Sequence, residues 1–380
     1  MNLDELRLEI DKIDDQLIKL FQERMEVAAK IGQFKKENGL PVLNSQRERE
    51  KLNDVADKSK PEMKSYLRVL YSLLFELSRS YQHKIFNESS ELYDNISKSI
   101  TETQNLFPTD SVVACQGVEG SYSQIACEKV FKNPNIVYFD KWENVFSAIE
   151  QGFCDYGILP IENSTAGSVK QVYDLMVNHN FNIVRSTRIQ VNHSLLAKKG
   201  TKISNIKEVF SHEQAIAQCS EFLKSLGDIK ITTVENTAVA SKMVAESDRD
   251  DIAALSSNNC AELYNLNCLK ASVQDKNNNC TRFICISKNL EIYPGADKTS
   301  LMLVLQHKPG ALYKVLSRLY ALDINLIKLE SRPISDRNFE FMFYFDLETS
   351  IYSEEFVQFI CELDGICDEF KYLGSYSEVV

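Results

Sequence analysis

An apolar stripe near the start of the chain constrains the fold more than any other feature. Nine positions spaced alternately four and three residues apart are apolar with one exception. This spacing places them on one face of an α-helix of about 30 residues. Such a long helix is not stable alone in water, so the stripe predicts partner helices. The positions are Leu6, Ile10, Ile13, Leu17, Leu20, Arg24, Val27, Ile31 and Phe34.

Arg24 is the exception, a cation within a stripe that should be buried. A buried charge without a partner is costly, so Arg24 should meet an anion. The anion is either a carboxylate of the protein or a bound ligand, and the sequence leaves both open. Lys35 lies about 20° from Arg24 around the helix and shares its face. Arg7 is turned about 100° away and serves a different surface or subunit.

Two further helices follow. After the turn at residues 39–41, Ser45-Gln46-Arg47-Glu48 has the form of a capping box, in which Glu48 would be the cap partner. A binding role for Glu48 is the alternative. A third helix begins after Pro61, and it carries Ser78 and Gln82 four residues apart. These two side chains can therefore contact one bound group.

Residues 1–84 resemble the all-helical chorismate mutase family. The resemblance is carried by L-R-x-x-I-D-x-I-D at 6–14, E-R-x-x-V-A-x-x-I-G-x-x-K at 23–35 and R-E-R at 47–49. It implies a domain-swapped helical dimer and a pericyclic reaction, for which Arg24, Lys35 and Gln82 are the catalytic residues. Such a reaction needs a dianion held in a folded shape and cations near the developing charge. The implied binding residues are Arg7 (from the partner subunit), Arg24, Lys35, Asn44, Arg47, Glu48, Ser78 and Gln82, with Asn44 replacing an Asp of some members.

Composition excludes several classes of protein. The 380 residues carry a net charge of −11, which disfavours nucleic-acid binding. No apolar run approaches the roughly 20 residues of a membrane span, and the first residues do not form a signal peptide. The ten cysteines include no C-x-x-C pair, so we expect reduced thiols and a cytoplasmic location. No phosphate-binding glycine motif and no metal-ligand spacing occurs, so we expect no cofactor and no metal.

Residues 86–108 are rich in Ser, Asn, Glu and Thr and are predicted to be a linker. Beyond them, short apolar runs such as Ser111–Cys115, Ile136–Phe139 and Tyr156–Ile161 alternate with helical patterns. This alternation predicts an α/β architecture with sheets covered by helices on both faces. In such folds ligands bind at the carboxyl ends of strands, so the polar loops that follow the strands are candidate binding sites.

These loops resemble the prephenate dehydratase family. Five segments occur in the family order: G-V-E-G-S-Y-S at 117–123, L-P-I-E-N-S-T-A-G-S-V at 159–169, H-S-L-L at 193–196, S-H-E-Q-A-I-A-Q-C at 211–219 and D-K-N-N-N-C-T-R-F at 275–283. The resemblance implies two α/β subdomains with the site in their cleft, as in periplasmic binding proteins. Thr281 would be the acid that helps the ring hydroxyl leave. The implied substrate-binding residues are Glu162, Asn163, Ser164, Thr165, Ser211, Gln218, Thr281, Arg282 and Phe283.

The C-terminal region, residues 297–380, shows a βαββαβ pattern, which predicts a ferredoxin-like α+β fold. Its P-G-A-L and E-S-R-P segments resemble the ACT domain of phenylalanine-regulated dehydratases. Gly310, at a helix start, suits close approach of a carboxylate. The resemblance implies an allosteric phenylalanine site made by Gly310, Ala311, Leu312, Glu330, Ser331, Arg332 and Pro333. A plain turn and a structural arginine are the alternative.

Together these patterns predict a multidomain chain: an all-α mutase domain (1–85), a linker (86–108), a two-subdomain α/β dehydratase domain (109–290) and an ACT domain (297–380). The expected substrates are chorismate and prephenate, with phenylalanine as effector and a homodimer or higher homo-oligomer as the assembly. Because both substrates are dianions, we expect fixed arginines in each cleft. The alternatives are a monofunctional dehydratase whose helical domain only dimerises, and a non-catalytic sensor of an aromatic metabolite.

Overall fold

The computed structural model describes residues 2–86, 91–305, 307–334, 340–363 and 366–380. Thirteen α-helices and fifteen strands lie within these ranges. The helices are α1 (Leu3–Glu37), α2 (Ser45–Lys58), α3 (Lys64–Phe86), α4 (Glu91–Glu102), α5 (Tyr122–Val130), α6 (Trp142–Gln151), α7 (Lys170–Asn178), α8 (Glu213–Gln218), α9 (Ser220–Ser225), α10 (Thr237–Glu246), α11 (Asn259–Leu263), α12 (Ala311–Ala321) and α13 (Glu354–Leu363). The strands are β1 (Val112–Gln116), β2 (Asn135–Phe139), β3 (Tyr156–Asn163), β4 (Gly167–Ser168), β5 (Asn182–Gln190), β6 (Ser194–Ala197), β7 (Glu208–Ser211), β8 (Lys230–Thr233), β9 (Ile252–Ser256), β10 (Asn267–Lys270), β11 (Cys280–Ser287), β12 (Lys298–Val304), β13 (Asn325–Pro333), β14 (Phe341–Glu348) and β15 (Glu369–Val379).

The chain forms two compact units. A helical unit comprises Met1–Asn95, Lys308–Ile324 and Tyr352–Asp368, and an α/β unit comprises Ile96–His307, Asn325–Ile351 and Glu369–Val380. The C-terminal region therefore contributes its two helices to one unit and its four strands to the other. None of the helices in the described ranges is long and apolar enough to cross a membrane.

Local capping explains where the first helices begin. Asn2 and Glu5 form a reciprocal capping box at the start of α1. Helix α2 is capped by Asn44, whose Oδ1 accepts a hydrogen bond of 3.0 Å from the backbone N–H of Arg47. The capping box predicted at Ser45 is therefore wrong: a single side-chain cap at Asn44, one residue earlier, begins the helix, and Glu48 is not a cap partner.

The stripe on α1 is a long helix as predicted, but in a single chain it is largely exposed. Ile10, Ile13 and Leu20 keep 58%, 55% and 60% of their surface exposed, and only Ala28 and Gly32 of α1 are buried. Helix α3 packs beside α1 so closely that a Cβ on Gly32 would lie 3.0 Å from the Gln82 side chain. The partner that the stripe requires is thus not supplied by the described residues of the same chain.

The α/β unit contains two sheets that define two subdomains. One sheet includes the order β5-β11-β3-β1-β2, and the other has the order β10-β6-β9-β7-β8. Buried side chains of α6 and α7 cover one face of the first sheet, and those of α5 cover the other. Helices α8–α9 and α10–α11 cover the two faces of the second sheet. The predicted two-subdomain α/β fold with doubly covered sheets is confirmed.

The C-terminal strands extend the first sheet, which the sequence did not predict. Strands β13-β14-β12-β15 form an antiparallel array, and β15 then pairs in parallel with β5. Gly374 enables this junction: its φ is +135°, and a Cβ there would lie 2.3 Å from the Ile183 carbonyl oxygen. The result is one continuous ten-stranded sheet.

The predicted linker contains helix α4. Residues 87–90 lie outside the described residues, but from Ile96 onward the segment is part of the α/β unit. Ile96 is 1% exposed, and the Ser99 hydroxyl donates a 2.8 Å hydrogen bond to the Leu290 carbonyl. This segment is therefore packed against the α/β unit.

Candidate active sites

A cleft of about 420 Å³ lies between the two subdomains of the α/β unit. Four of the predicted dehydratase residues line it: Asn163 at the end of β3, Gln218 at the end of α8, and Thr281 and Phe283 on β11. Successive side chains of a strand alternate between faces, so Thr281 and Phe283 point to the cleft together.

Thr281 is held by Asn163 in a defined orientation. Asn163 Oδ1 accepts hydrogen bonds from the backbone N–H groups of Thr165 (3.0 Å) and Ala166 (2.9 Å), which can only donate. The amide nitrogen must therefore face Thr281 Oγ1, at 2.9 Å, and Asn279 Oδ1, at 2.8 Å. Because Thr281 Oγ1 accepts from Asn163, its own hydroxyl hydrogen is not used in this bond and is available to a group bound in the cleft.

Gln218 extends the same network. Its Nε2 donates to Thr165 Oγ1 at 3.1 Å, so its Oε1 is the acceptor for Asn279 Nδ2 (2.8 Å) and His193 Nε2 (3.0 Å). His193 must then carry its proton on Nε2. Burial lowers the pKa of the His193 imidazole, although the hydrogen bond to Gln218 opposes that shift. His193 is therefore neutral and serves as a hydrogen-bond donor.

Four predicted residues occupy positions beside the cleft rather than on its surface. The hydroxyl of Ser211 is fully buried and donates to the Leu255 carbonyl at 2.7 Å. Ser164 Oγ links the Asn278 carbonyl to the Cys280 N–H, each at 2.9 Å. Thr165 holds Asn163 and Gln218, as described above. Glu162 pairs with Lys328 of β13 at 2.8 Å.

Arg282 faces away from the cleft because it lies between Thr281 and Phe283 on β11. Its guanidinium forms an ion pair with the fully buried Asp346 and donates to the Tyr376 hydroxyl at 2.9 Å. Burial lowers the pKa of Arg282, but the effects of Tyr376 and Asp346 are larger and raise the pKa above its ordinary value. The group therefore stays charged. Its partners lie in the C-terminal strands, whose pairing with the dehydratase sheet was not predicted.

The charge of the cleft differs from the expectation. None of the lining residues that the structure describes is Lys or Arg. Instead, the N-termini of α5, α7 and α10 reach it through Ser121, Val169 and Asn236. Helix N-termini carry N–H groups without intrahelical partners and a partial positive charge, which attract anions. At α5 and α10 the caps Ser121 and Asn236 each accept from one of these N–H groups. Ser121 and Val169 lie in the quoted segments 117–123 and 159–169, although neither is among the predicted substrate-binding residues, whereas Asn236 lies in no quoted segment.

The helical unit has its own cavity of about 540 Å³ between α1, α2 and α3. Seven of the eight predicted mutase residues line it: Arg24, Lys35, Asn44, Arg47, Glu48, Ser78 and Gln82. The eighth, Arg7, lies near the exposed start of α1, 3.3 Å from Asp4. The wall also includes Gln82 Oε1, a buried acceptor without a partner among the described residues.

The two central cations of this cavity bind no carboxylate of the described chain. Arg24 donates to Ser78 Oγ and, at 3.2 Å, to the Leu74 carbonyl; Lys35 donates to the Val42 carbonyl at 2.5 Å. Burial lowers the pKa of both groups, and for Lys35 the nearby Glu48 carboxylate opposes that shift. Both charges are therefore available to a bound anion.

Arg79 also lines the cavity, and sequence reasoning missed it. Its guanidinium bridges Glu48 and Glu76, the latter at 2.5 Å. Burial alone would lower the pKa of Arg79, but the effect of these two carboxylates is larger and raises the pKa above its ordinary value. Arg79 thereby fixes Glu48. Because Arg79 follows Ser78 directly, the i,i+4 pattern of Ser78 and Gln82 does not include it.

The residues of the predicted phenylalanine site fall in both units. In the helical unit, Gly310 has φ +84° and precedes α12, whose first residues are Ala311 and Leu312. In the α/β unit, the segment 330–333 lies on β13. Glu330 accepts from Ser168 Oγ at 2.7 Å and Arg332 forms a bidentate pair with Asp174, whereas Ser331 and Pro333 are exposed.

These two cavities define an enzyme with two separate sites, one rich in cations between helices and one rich in amides in an α/β cleft. Comparison with known protein families agrees with this division into two sites. Residues 6–83 match the chorismate mutase type II family and residues 113–291 match the prephenate dehydratase family. A bifunctional chorismate mutase/prephenate dehydratase of Aquifex aeolicus is 30% identical over 380 residues, covering 100% of this chain and 98% of the relative.

The chain therefore belongs to the family of bifunctional chorismate mutase/prephenate dehydratases. It catalyses the conversion of chorismate to prephenate and the dehydration of prephenate, as the sequence predicted. Because the likeness to the Aquifex relative spans both domains, neither the monofunctional dehydratase nor the sensor is favoured.

Other similar proteins cover about 70% of the chain. The arogenate dehydratase/prephenate dehydratase 2 of Arabidopsis thaliana is 37% identical over 276 residues, covering 70% of this chain and 72% of the relative. A prephenate dehydratase from Arthrobacter aurescens in complex with L-Phe has a TM-score of 0.65 at 26% identity, covering 70% of this chain and 90% of that one. GqqA, described as a novel type of quorum quenching acylase, has a TM-score of 0.64 at 29% identity, covering 70% and 97%.

Proposed function

We propose that dehydration takes place in the cleft of the α/β unit and that Thr281 is its proton donor. One observation carries this proposal: Asn163 is fixed with its amide nitrogen toward Thr281, which leaves the threonine hydrogen free for the substrate. In the reaction the C–C bond to the ring carboxylate breaks, its electron pair completes the aromatic ring, and the C–O bond to the hydroxyl breaks. A donated hydrogen bond or proton helps that hydroxide to leave as water.

Binding of the dianion in this cleft would rely on dipoles. The N-terminal turns of α5, α7 and α10 offer N–H groups, while Gln218 Nε2, which donates one hydrogen to Thr165, keeps a second hydrogen for the substrate. Oriented dipoles need no reorganisation when charge moves during the reaction. Phe283 supplies an apolar wall for the ring as it becomes aromatic. Loss of CO₂ and water thus requires no cationic side chain at the reacting carbon.

For the mutase reaction we assign the cavity of the helical unit. Arg24 and Lys35, without carboxylate partners in the described chain, would bind the substrate carboxylates and the ether oxygen. The buried Gln82 Oε1 has no hydrogen-bond partner among the described residues. In the complex it would accept a hydrogen bond, or the amide would turn to present its Nε2 to the substrate. Because the rearrangement is pericyclic, holding the folded shape and stabilising developing charge suffice.

We further propose that two copies of the chain assemble through α1. Its exposed Ile10, Ile13 and Leu17 form a long apolar face, and exposing such a face to water is unfavourable. Pairing of two such helices would also bring Arg7 of one copy to the cavity of the other, as the family resemblance implies. Free thiols at all nine cysteines with described side chains support the cytoplasmic location that we propose.

Regulation by phenylalanine is also proposed, with residues 297–380 as an ACT domain. The strand order β13-β14-β12-β15 within a βαββαβ chain order supports this reading. The similar Arthrobacter enzyme was crystallised with L-Phe. The predicted site comprises residues 310–312 and 330–333.

Separate assays of the two reactions test these assignments. Chorismate should yield prephenate and then phenylpyruvate. Thr281→Val should slow dehydration of supplied prephenate by about 10²–10⁴-fold, whereas Thr281→Ser, which keeps the hydroxyl, should retain most of the activity. Arg24→Met should abolish only the mutase step. Dehydration that survives in Thr281→Val would reject the donor role, and equal loss of both reactions in either variant would reject independent sites.

A titration with phenylalanine tests the proposed regulation. The effector should change dehydratase kinetics or oligomer size, and Glu330→Gln should weaken that change. If neither property responds, the ACT assignment carries no regulation.

A further inference from the structure

The loop that holds Asn163 is supported by very little structure of its own. Strands β3 and β4 form a hairpin, but β4 has only two residues and just two register pairs, Glu162 with Ser168 and Asn163 with Gly167. The β3 side is held by the sheet, since Asn163 pairs with Thr281 of β11 and the Ser164 N–H donates to the Cys280 carbonyl at 2.8 Å, but the two residues of β4 pair with β3 alone. The hairpin nevertheless encloses the residues that orient Thr281. The β4 side of the hairpin therefore has few backbone contacts to hold it.

Lys328 of β13 contacts both sides of the hairpin. Its ammonium lies 2.8 Å from Glu162 Oε1 and 3.0 Å from Ser168 Oγ, and its side chain is only 10% exposed. Glu162 and Ser168 are directly opposite each other on the paired strands. One cation thus joins the two side chains of a single cross-strand pair.

The hydrogen-bond directions in this cluster are fixed. An ammonium can only donate, so Ser168 Oγ accepts from Lys328 and gives its own hydrogen to Glu330 Oε2, at 2.7 Å. The next residue on the same face of β13, Arg332, forms its bidentate pair with Asp174 of α7, at 2.8 Å for each bond. Lys328, Glu330 and Arg332 occupy every second position of the strand, so this face of β13 contacts the β3–β4 hairpin and α7.

We propose that Lys328 is a positioning residue of the dehydratase site. By joining Glu162 to Ser168 it stabilises the conformation of the β3–β4 hairpin. That conformation positions the Asn163 amide, and Asn163 orients the Thr281 hydroxyl. Lys328 itself does not line the cleft and does not touch the substrate. The proposal rests on the dehydratase reaction assigned to this cleft. The site is thereby completed by a residue of the C-terminal region.

The test compares Lys328→Met with Lys328→Arg and with a matched control in the full-length enzyme. The control is Lys371→Met, because Lys371 is also a largely buried lysine of the C-terminal strands. Its ammonium donates to the carbonyl of His179, the residue that follows the C-terminal end of α7. Lys328→Met should lower kcat for prephenate dehydration by about tenfold or more, since small misplacement of reacting groups has effects of this size. Lys328→Arg should restore activity to within a few-fold, and mutase turnover should stay unchanged in all three variants.

A double-mutant comparison separates positioning from a merely structural effect. Glu162→Gln removes the same ion pair, so Glu162→Gln with Lys328→Met should be no slower than Lys328→Met alone. The proposal would be overturned if the double variant lost kcat by the product of the two single-variant factors. It would also be overturned if Lys328→Met were as active as the Lys371→Met control. If Lys328→Met does not fold, Glu162→Gln and Ser168→Ala carry the test, and wild-type kcat in both would overturn it.

Thr281→Val distinguishes the two levels of inference. If Thr281→Val is inactive while Lys328→Met is normal, the cleft assignment stands and the positioning role fails. If Thr281→Val is active, the assignment of the cleft itself fails.

Discussion

The substitution Asn163→Asp would test the orientation of Thr281 with a nearly isosteric change. One oxygen of the introduced carboxylate would keep the bonds from the backbone N–H groups of Thr165 and Ala166. The other oxygen would replace the amide nitrogen, which lies 2.9 Å from Thr281 Oγ1 and 2.8 Å from Asn279 Oδ1. Thr281 would then donate its hydrogen to the introduced carboxylate rather than to the substrate.

The size of the effect follows from the bond that must break before reaction. A hydrogen bond to a charged group contributes about 1.5–3 kcal/mol, and recovering the threonine hydrogen would cost that amount. At about 1.36 kcal/mol per tenfold, kcat for dehydration should fall by about 10- to 150-fold. The new carboxylate oxygen would also face the acceptor Oδ1 of Asn279, which should lower the free energy of unfolding by about 1–3 kcal/mol.

The assay is phenylpyruvate formation from prephenate, with mutase turnover as the internal reference. Asn178→Asp is the control, because Asn178 is exposed at the end of α7 and gains the same charge outside the cleft. A buried carboxylate has a raised pKa, so lowering the pH should protonate the introduced carboxylate and restore a donor. The ratio of variant to wild-type kcat should therefore rise as the pH falls.

Two results would refute this reasoning. A variant with kcat close to that of Asn178→Asp would show that Asn163 does not control the threonine hydrogen. A variant whose deficit is independent of pH would show that the loss does not come from the charge of the introduced carboxylate.

Three further predictions concern other groups. Arg79→Met should free Glu48 from its ion pair and lower kcat/KM of the mutase, while dehydration of supplied prephenate stays constant; unchanged mutase kinetics would contradict this. Asp346→Asn should leave the buried Arg282 charge without its anion and destabilise the α/β unit by about 3–5 kcal/mol in urea unfolding, and Arg282→Met combined with Asp346→Leu should recover much of that loss. Because burial lowers the pKa of His193 in the folded state, the unfolded chain binds more protons, and stability should fall as the pH drops below about 6.5; a His193→Asn enzyme with the same pH dependence would disprove that contribution.

Much of the fold followed from the sequence because it depends on local periodicity. The four-and-three spacing from Leu6 to Phe34 requires a helix wherever its partner lies. The alternation of apolar runs and helical patterns after Ser111 requires covered sheets. The candidate site residues in the polar loops could likewise be read from short segments, since the residues of each segment are close in sequence.

Residue roles that depend on direction and distant partners could not be read in this way. The T-R-F segment gives Thr281, Arg282 and Phe283 equal standing, yet a strand turns alternate side chains to opposite faces, so Arg282 meets Asp346 and not the cleft. The expectation of arginines in both clefts was similarly wrong for the α/β unit, where helix N-termini reach the cleft and none of the described lining residues is Arg.

The sequence by itself determined the helices, the two-subdomain architecture and the families of both catalytic domains. Only the tertiary structure decided which amide orients Thr281, that Arg79 fixes Glu48, and that β15 pairs with β5 and β13 contacts the cleft wall. The reason is physical. Helix and strand periodicities arise from neighbouring residues, whereas these contacts join positions far apart in the chain and arise only when packing brings them together.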